Sequence, residues 1–284
     1  MRNTIESVGF VGFGPMGQLM GRHMFPGAEI EFVDPNVNQP PDGISATKVE
    51  DNFTFSRGSN QAPDAVVLTV PARAFWPVSK EVILGPIIEE NWPEGLLDEL
   101  PAPLIVDPCS VKMFTEAVIA RRDPNYPELL HCHPLFGPQS ATKSVAGKTV
   151  IVTKKVGEKA DKLLGTWEEL GLKIVEMTAE EHDEKMAYIQ LVPFLLGRIA
   201  NKLGLRDLLG SGLETPTFME AIDLANLDEA HSDELFRTIM DFNPFAHRIL
   251  FRIRQQINWI EQDSLPNELL LHQLGLLQKE DLTS

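Results

Sequence analysis

Ser7-Val8-Gly9-Phe10-Val11-Gly12-Phe13-Gly14-Pro15-Met16-Gly17 is the stretch that decides the fold. An apolar run reads as a buried strand and ends on a glycine. The period then changes, and Met16, Leu19, Met20, His23 and Met24 share one helix face. Between them lies G-x-G-x-x-G. Gly12 allows a tight turn, Gly14 lets the backbone approach a pyrophosphate, and Gly17 lets the helix pack closely on the strand. The helix N-terminus then offers free N–H groups and the positive end of its dipole to a phosphate. Glu29 to Asp34 alternates polar and apolar as a second strand, and Asp34 stands 22 residues after Gly12. A carboxylate at that place accepts from both adenine-ribose hydroxyls and repels a 2′-phosphate, so NAD is expected over NADP. The cofactor contacts are assigned to Gly12, Gly14, Pro15, Met16, Gly17, Asp34, Val70 and Pro71.

Outward from this turn the pattern repeats. Ala65 to Val70 reads as a buried strand stopped by Pro71, and Leu104 to Asp107 as another stopped by Pro108. Lys148 to Thr153 and Lys173 to Met177 are further strands, with a helix at about 158–170 between them. Strands separated by helical segments predict an α/β fold with a Rossmann-type, doubly wound parallel sheet. After residue 178 the β-like runs stop and helical apolar spacing takes over. The expected division is a dinucleotide-binding domain over 1–178 and an all-helical domain over 179–284. Thr178-Ala179-Glu180-Glu181 has the capping-box pattern that starts a helix.

The 284 residues carry 25 basic and 41 acidic side chains, a net charge of −16, which disfavours nucleic acid and anionic lipid as partners. No apolar run is long enough to span a membrane, and no secretory h-region opens the chain. Two cysteines make no disulfide scaffold, so a cytoplasmic location is expected. Cys109, His131, Cys132 and His133 lack the second close pair that a zinc site needs, so no metal is expected. Both cysteines read as small apolar fillers.

Three segments carry chemistry-bearing residues: Asp107-Pro108-Cys109-Ser110-Val111-Lys112 beyond a strand end, His131-Cys132-His133-Pro134-Leu135-Phe136-Gly137-Pro138, and His182-Asp183 near a helix start. With the glycine-rich turn, and with Met186-Ala187-Tyr188-Ile189-Gln190, they resemble the prephenate dehydrogenase family, which includes arogenate and cyclohexadienyl dehydrogenases. The resemblance covers residue 7 to about 195. Beyond that, Thr215 to Phe218 and Glu234 to Ile239 resemble the family's helical dimerisation domain. The resemblance implies an NAD-dependent oxidative decarboxylation of a cyclohexadienol such as prephenate, arogenate or amino-prephenate. A base takes the ring hydroxyl proton as hydride leaves the same carbon, CO2 departs, and the ring becomes aromatic. It implies His133 as the base and Ser110 as the group bonding that histidine and the substrate hydroxyl. Lys112, His182 and Gln190 are the further candidate substrate contacts. A homodimer through the helical domain is implied too.

The chain departs from the family in two places. Phe194 stands where the family has a second histidine, and no Lys or Arg occurs from Pro216 to Phe236, where the family places a carboxylate-binding arginine. Asp223 falls on one alignment of that position, and His231 is the candidate base of the segment. Arg198, Arg206, Arg248, Arg252 and Arg254 are alternatives for the grip. Two other readings stay open: a nucleotide-binding paralogue with a regulatory role, and a β-hydroxyacid-type dehydrogenase. The second wants a lysine followed four residues later by asparagine, and Lys185 is followed by Ile189.

Overall fold

The computed structural model describes residues 5–49, 63–75, 104–122, 128–263 and 274. Residues 1–4, read as the lead into the first strand, lie outside the described residues, as does 264–284 apart from Leu274 at the end of the expected helical domain. Two compact units are present, Met1–Pro244 and Phe245–Ser284.

In the first unit the strands are β1 (Ser7–Val11), β2 (Glu29–Val33), β3 (Thr47–Lys48), β4 (Ala65–Leu68), β5 (Leu104–Asp107), β6 (Leu129–Pro134), β7 (Thr149–Val156) and β8 (Lys173–Glu176). They form one sheet in the order β3-β2-β1-β4-β5-β6-β7-β8. All neighbours are parallel except β6 and β7. The helices are α1 (Pro15–His23), α2 (Lys112–Arg122), α3 (Glu158–Glu169), α4 (Ala179–Ile189), α5 (Leu191–Lys202), α6 (Pro216–Ala230) and α7 (Asp233–Phe242). A Rossmann-type sheet is thus followed by helices. The expected break at 178/179 marks the change from strands to helices and lies inside this unit.

The period-2 alternation of the strands builds a core on each sheet face. Phe10, Phe32, Val67 and Val106 join Phe13, Met20, Met24 and Trp167 on one face, while Val11, Val66, Leu68 and Ile105 join Val118 and Ile119 on the other. Phe13 stacks on Phe32 with ring centroids 4.4 Å apart. The buried Trp167 indole donates to Met24 O at 2.9 Å, so its one polar atom is satisfied. The capping box is formed: Thr178 Oγ1 accepts from Glu181 N–H, and the Glu181 carboxylate accepts from Thr178 N–H.

Two elements differ from the sequence reading. His131 to Pro134, read as the edge of a Pro/Gly turn, is buried strand β6, and the turn begins at Leu135. β7 runs to Val156, three residues further than expected, and carries an extra residue against β6 between His131 and Cys132. Such a bulge re-aims side chains beside it.

The helices are joined by polar bonds. Arg198 pairs with Asp228 at 3.2 Å and Asp233 at 2.9 Å and lies 3.8 Å over the Phe236 ring. Asn201 donates to Ala225 O and to Asp228. In the second unit, α8 (Ala246–Asp263) exposes Phe251, Ile257, Trp259 and Ile260.

Gly197 sits where α5 crosses α6, and a Cβ there would overlap the Leu224 carbonyl. Gly197→Ala should lower stability by about 1–3 kcal/mol, the usual range for overpacking. Gly165→Ala, with open space at its Cβ in α3, should raise it by about 0.5–1 kcal/mol through helix propensity. Thermal melts check both; an unchanged midpoint for Gly197→Ala would contradict this close crossing.

Candidate active site

Every parallel strand of the sheet from β1 to β6 delivers its C-terminal end to one edge, where an open α/β sheet binds ligands. At the end of β1, Gly12 has φ +84°, and a Cβ there would meet Thr69 O at 2.8 Å. A Cβ on Gly17 would meet Gly12 O and Thr69 Oγ1, both at 2.8 Å. Both glycines are therefore required by the protein itself. Gly14 is different: nothing lies within 4 Å of its Cβ position. The room it leaves faces open space, and the α1 N-terminus beside it has no side-chain cap. Open backbone approach and uncapped N–H groups fit a phosphate.

Asp34 ends β2 and is buried. One carboxylate oxygen accepts from Phe13 N–H at 2.7 Å, and the other from Asn36 N–H at 2.7 Å and Val37 N–H at 3.0 Å. The carboxylate expected to hold ribose thus also ties the glycine turn to the loop after β2. Val70 and Pro71 end β4 beside Gly12, since the Thr69 carbonyl is what a Gly12 side chain would strike.

The ends of β5 and β6 carry a buried polar cluster. Lys112 is fully buried, and its three ammonium protons meet Asp107 O at 3.0 Å, Asp107 Oδ2 at 2.8 Å and Cys132 O at 2.7 Å. Asp107 also accepts from Thr115 Oγ1 at 2.6 Å, His131 Nδ1 at 2.7 Å and Cys109 N–H at 2.9 Å. Burial alone would raise the Asp107 carboxyl, but the Lys112 ammonium and the His131 bond hold it well below the usual carboxylate range. Burial pushes the Cys109 and Cys132 thiols up to about 12, so neither is a thiolate. Lys112, expected among the substrate contacts, has no donor left for a substrate.

Asp183 in α4 accepts the first N–H groups of α2, from Lys112 and Met113, each at 2.9 Å. The same carboxylate is 2.8 Å from His182 Nδ1, and His182 Nε2 is 2.8 Å from His133 Nδ1. This series sets the tautomers. An acceptor carboxylate fixes the His182 proton on Nδ1. His182 Nε2 then accepts, which fixes the His133 proton on Nδ1 and leaves a lone pair on His133 Nε2. Burial, reinforced by the adjacent His182 ring and the Lys112 charge, holds His133 well below the ordinary histidine range, so it is neutral at pH 7.

Ser110 lies at the same edge, but among the described residues no hydrogen bond joins it to His133. His182 occupies His133 Nδ1, so Nε2 is the ring nitrogen left without a hydrogen-bond partner among the described residues. Gln190 sits between α4 and α5, with its Oε1 buried and without a partner among the described residues. The pairing of Asp183 with α2 was not legible in the sequence, because 71 residues separate Asp183 from Lys112. Among the described residues no group of three or more His, Cys, Asp or Glu is placed to hold a metal, and no helix is long and apolar enough to cross a membrane.

No protein-family model matches the chain. Arogenate dehydrogenase 2, chloroplastic, of Arabidopsis thaliana is 31% identical over 167 residues, which cover 56% of this chain and 46% of that protein. The chain thus spans under half the length of that curated relative. Among solved structures, Aquifex aeolicus prephenate dehydrogenase in complex with hydroxyphenyl propionate and NAD+ aligns with 97% of this chain and 94% of its own, at TM-score 0.59 and 18% identity. Synechocystis arogenate dehydrogenase aligns with 95% of this chain and 97% of its own, at TM-score 0.53 and 16% identity. The two structures share the fold. Together these likenesses bear out the resemblance to the prephenate dehydrogenase family read from the motifs.

Lys112→Met should strand a buried Asp107 and cost about 3–5 kcal/mol. Adding Asp107→Asn should recover part of that loss. Denaturant unfolding of the single and double variants measures the coupling; strictly additive losses would mean the pair does not act as a unit.

Proposed function

We propose that this relative of the prephenate and arogenate dehydrogenases is an NAD-dependent dehydrogenase. Its reaction is the oxidative decarboxylation of prephenate or a close cyclohexadienol analogue, arogenate or amino-prephenate, in aromatic amino-acid biosynthesis. The observation that carries the reading is a neutral His133 whose proton is fixed on Nδ1, at the sheet edge that also holds an open glycine turn. Bound NAD supplies the hydride acceptor. The α1 N-terminus and Gly14 would hold its phosphates and Asp34 its ribose, with Val70 and Pro71 as further candidate contacts. His133 Nε2 takes the ring hydroxyl proton as the hydride leaves that carbon. Ser110 bonds the same hydroxyl. Loss of CO2 then leaves a phenol, and aromatisation drives the step. His182 and Asp183 hold the base in position and do not themselves need to touch substrate. The helices after residue 178 are read as the substrate and dimer region, and exposed Tyr188, Ile189, Leu196, Ile199 and Leu203 support a homodimer through them. A cytoplasmic location goes with this reading.

Titrating NAD and NADP should show tighter NAD binding, because Asp34 faces where a 2′-phosphate would lie. Asp34→Ser should narrow the gap and also lower the thermal midpoint, since Phe13, Asn36 and Val37 lose their acceptor. Tighter NADP binding by the parent would sink the assignment.

NAD reduction should be assayed against prephenate, arogenate and the 4-amino analogue. His133→Asn should lower kcat by about 10²–10⁴ with NAD affinity nearly unchanged. The pH profile of kcat/KM should lose activity on the acid side below the ordinary histidine value of 6.5, because the folded protein resists protonating this ring. Stability follows the same sign. It is full above 6.5 and falls as the pH drops from there toward the depressed folded value, where the unfolded chain binds the extra proton. An acid limb at or above 6.5, or full turnover by His133→Asn, would place the base elsewhere.

A further inference from the structure

The corner between α6 and α7, residues 230–233, is tied down on two flanks. On one side the Gln139 side-chain amide, from the loop after β6, donates to Ala230 O. On the other, Arg73, in the 3-10 turn Ala72–Phe75 after β4, pairs with Glu234 at 2.5 Å. β5 lies between β4 and β6 in the sheet. The segment is thus bonded to the loops that follow β4 and β6, and Ser110 follows β5, the strand between them. His231 is in the middle of that segment.

Its ring is held in one orientation. His231 Nδ1 is 2.7 Å from Leu227 O, so Nδ1 carries a proton and donates it. The ring packs against Phe194 with centroids 4.7 Å apart. His231 is half-buried, and Nε2 has no hydrogen-bond partner among the described residues. The cations around it are committed. Arg73 is paired with Glu234, Arg198 with Asp228 and Asp233, Arg206 with Glu229, and Arg237 with Asp233. Lys112 has spent all three protons. A carboxylate arriving at this edge thus meets several acids already matched to bases. His231 can still turn a free ring nitrogen into a charged donor by taking up one proton. A ring already fixed by a bond and a tilted ring contact loses little freedom when it binds.

From this we propose that His231 is a substrate-binding residue whose Nε2–H donates to the substrate carboxylate. The proposal rests on the dehydrogenase reading and names the group that replaces an arginine in its carboxylate grip.

The test is calorimetric titration of the full chain, with saturating NAD, by 3-(4-hydroxyphenyl)propionate and by its uncharged amide. His231→Gln should weaken the carboxylate about tenfold to a hundredfold and leave the amide nearly unchanged. His231→Lys should restore much of the carboxylate affinity. NAD affinity should stay at the parental value in both variants, which separates lost contact from lost fold, while the thermal midpoint falls slightly with the Leu227 bond and the Phe194 contact. Equal carboxylate binding by the parent and His231→Gln overturns the proposal, as does a parent that binds NAD but not the carboxylate. Should His231-dependent carboxylate binding be found while no cyclohexadienol reduces NAD, the binding proposal stands and the dehydrogenase reading fails.

Discussion

The buried ammonium of Lys112 is the contact on which the site depends. A fully buried lysine is costly unless each of its protons finds an acceptor. Here two are taken by Asp107, from β5, and one by the Cys132 carbonyl, from β6. The bond therefore ties β5, which Ser110 follows, to β6, which carries His133. The backbone N–H of the same residue opens α2 and is received by Asp183 of α4. One residue thus links the sheet to the helices that follow it, through a side-chain bond on one side and a main-chain bond on the other.

That link has a chemical consequence. Asp183 is held by two amide protons of the α2 N-terminus, an arrangement that helix dipole and hydrogen bonding both favour. Its remaining interaction is with His182, and through His182 it reaches His133. A free histidine divides its proton between two nitrogens and turns in solution. This one has a single tautomer, with Nε2 left without a hydrogen-bond partner among the described residues. In the proposed role the low proton affinity that burial imposes is acceptable, because a base only has to be neutral before it acts. Preorganisation of this kind reduces the reorganisation needed when charge moves in the reaction.

The fold was legible where local chemistry decides it. Gly12, Gly17 and Asp34 are explained by contacts close to the turn, and the capping box at Thr178 formed as its four residues predict. The strand through His131 to Pro134 was hidden because its Pro and Gly neighbours mimic a turn, whereas its burial comes from β5 and β7 on either side. The motif residues were visible one by one, but their pairing was not. Nothing in Ser-Val-Lys or in His-Asp says that the two segments meet. The family resemblance implies a bond from Ser110 to His133, while in the structure His182 takes His133 Nδ1. Long-range polar pairs depend on the assembled sheet, and no period or composition encodes them.

The acidic balance of the chain looks unsuited to the anionic ligand of the proposed reaction, but net charge does not decide the potential at one edge. The carboxylates near the site are mostly occupied. Asp34 is bonded to three backbone amides, Asp183 to two amides and an imidazole, and Asp107 to an ammonium, a hydroxyl, an amide and an imidazole. Asp228 and Asp233 share Arg198. Each is paired or hydrogen-bonded within the fold, and Asp107, Asp228 and Asp233 face a cationic partner that offsets their charge. Among the described residues, the uncapped amides of α1 are donors that the fold leaves open at this edge. Net charge describes the surface as a whole, while the local potential of this edge follows from which donors the fold has left unspent.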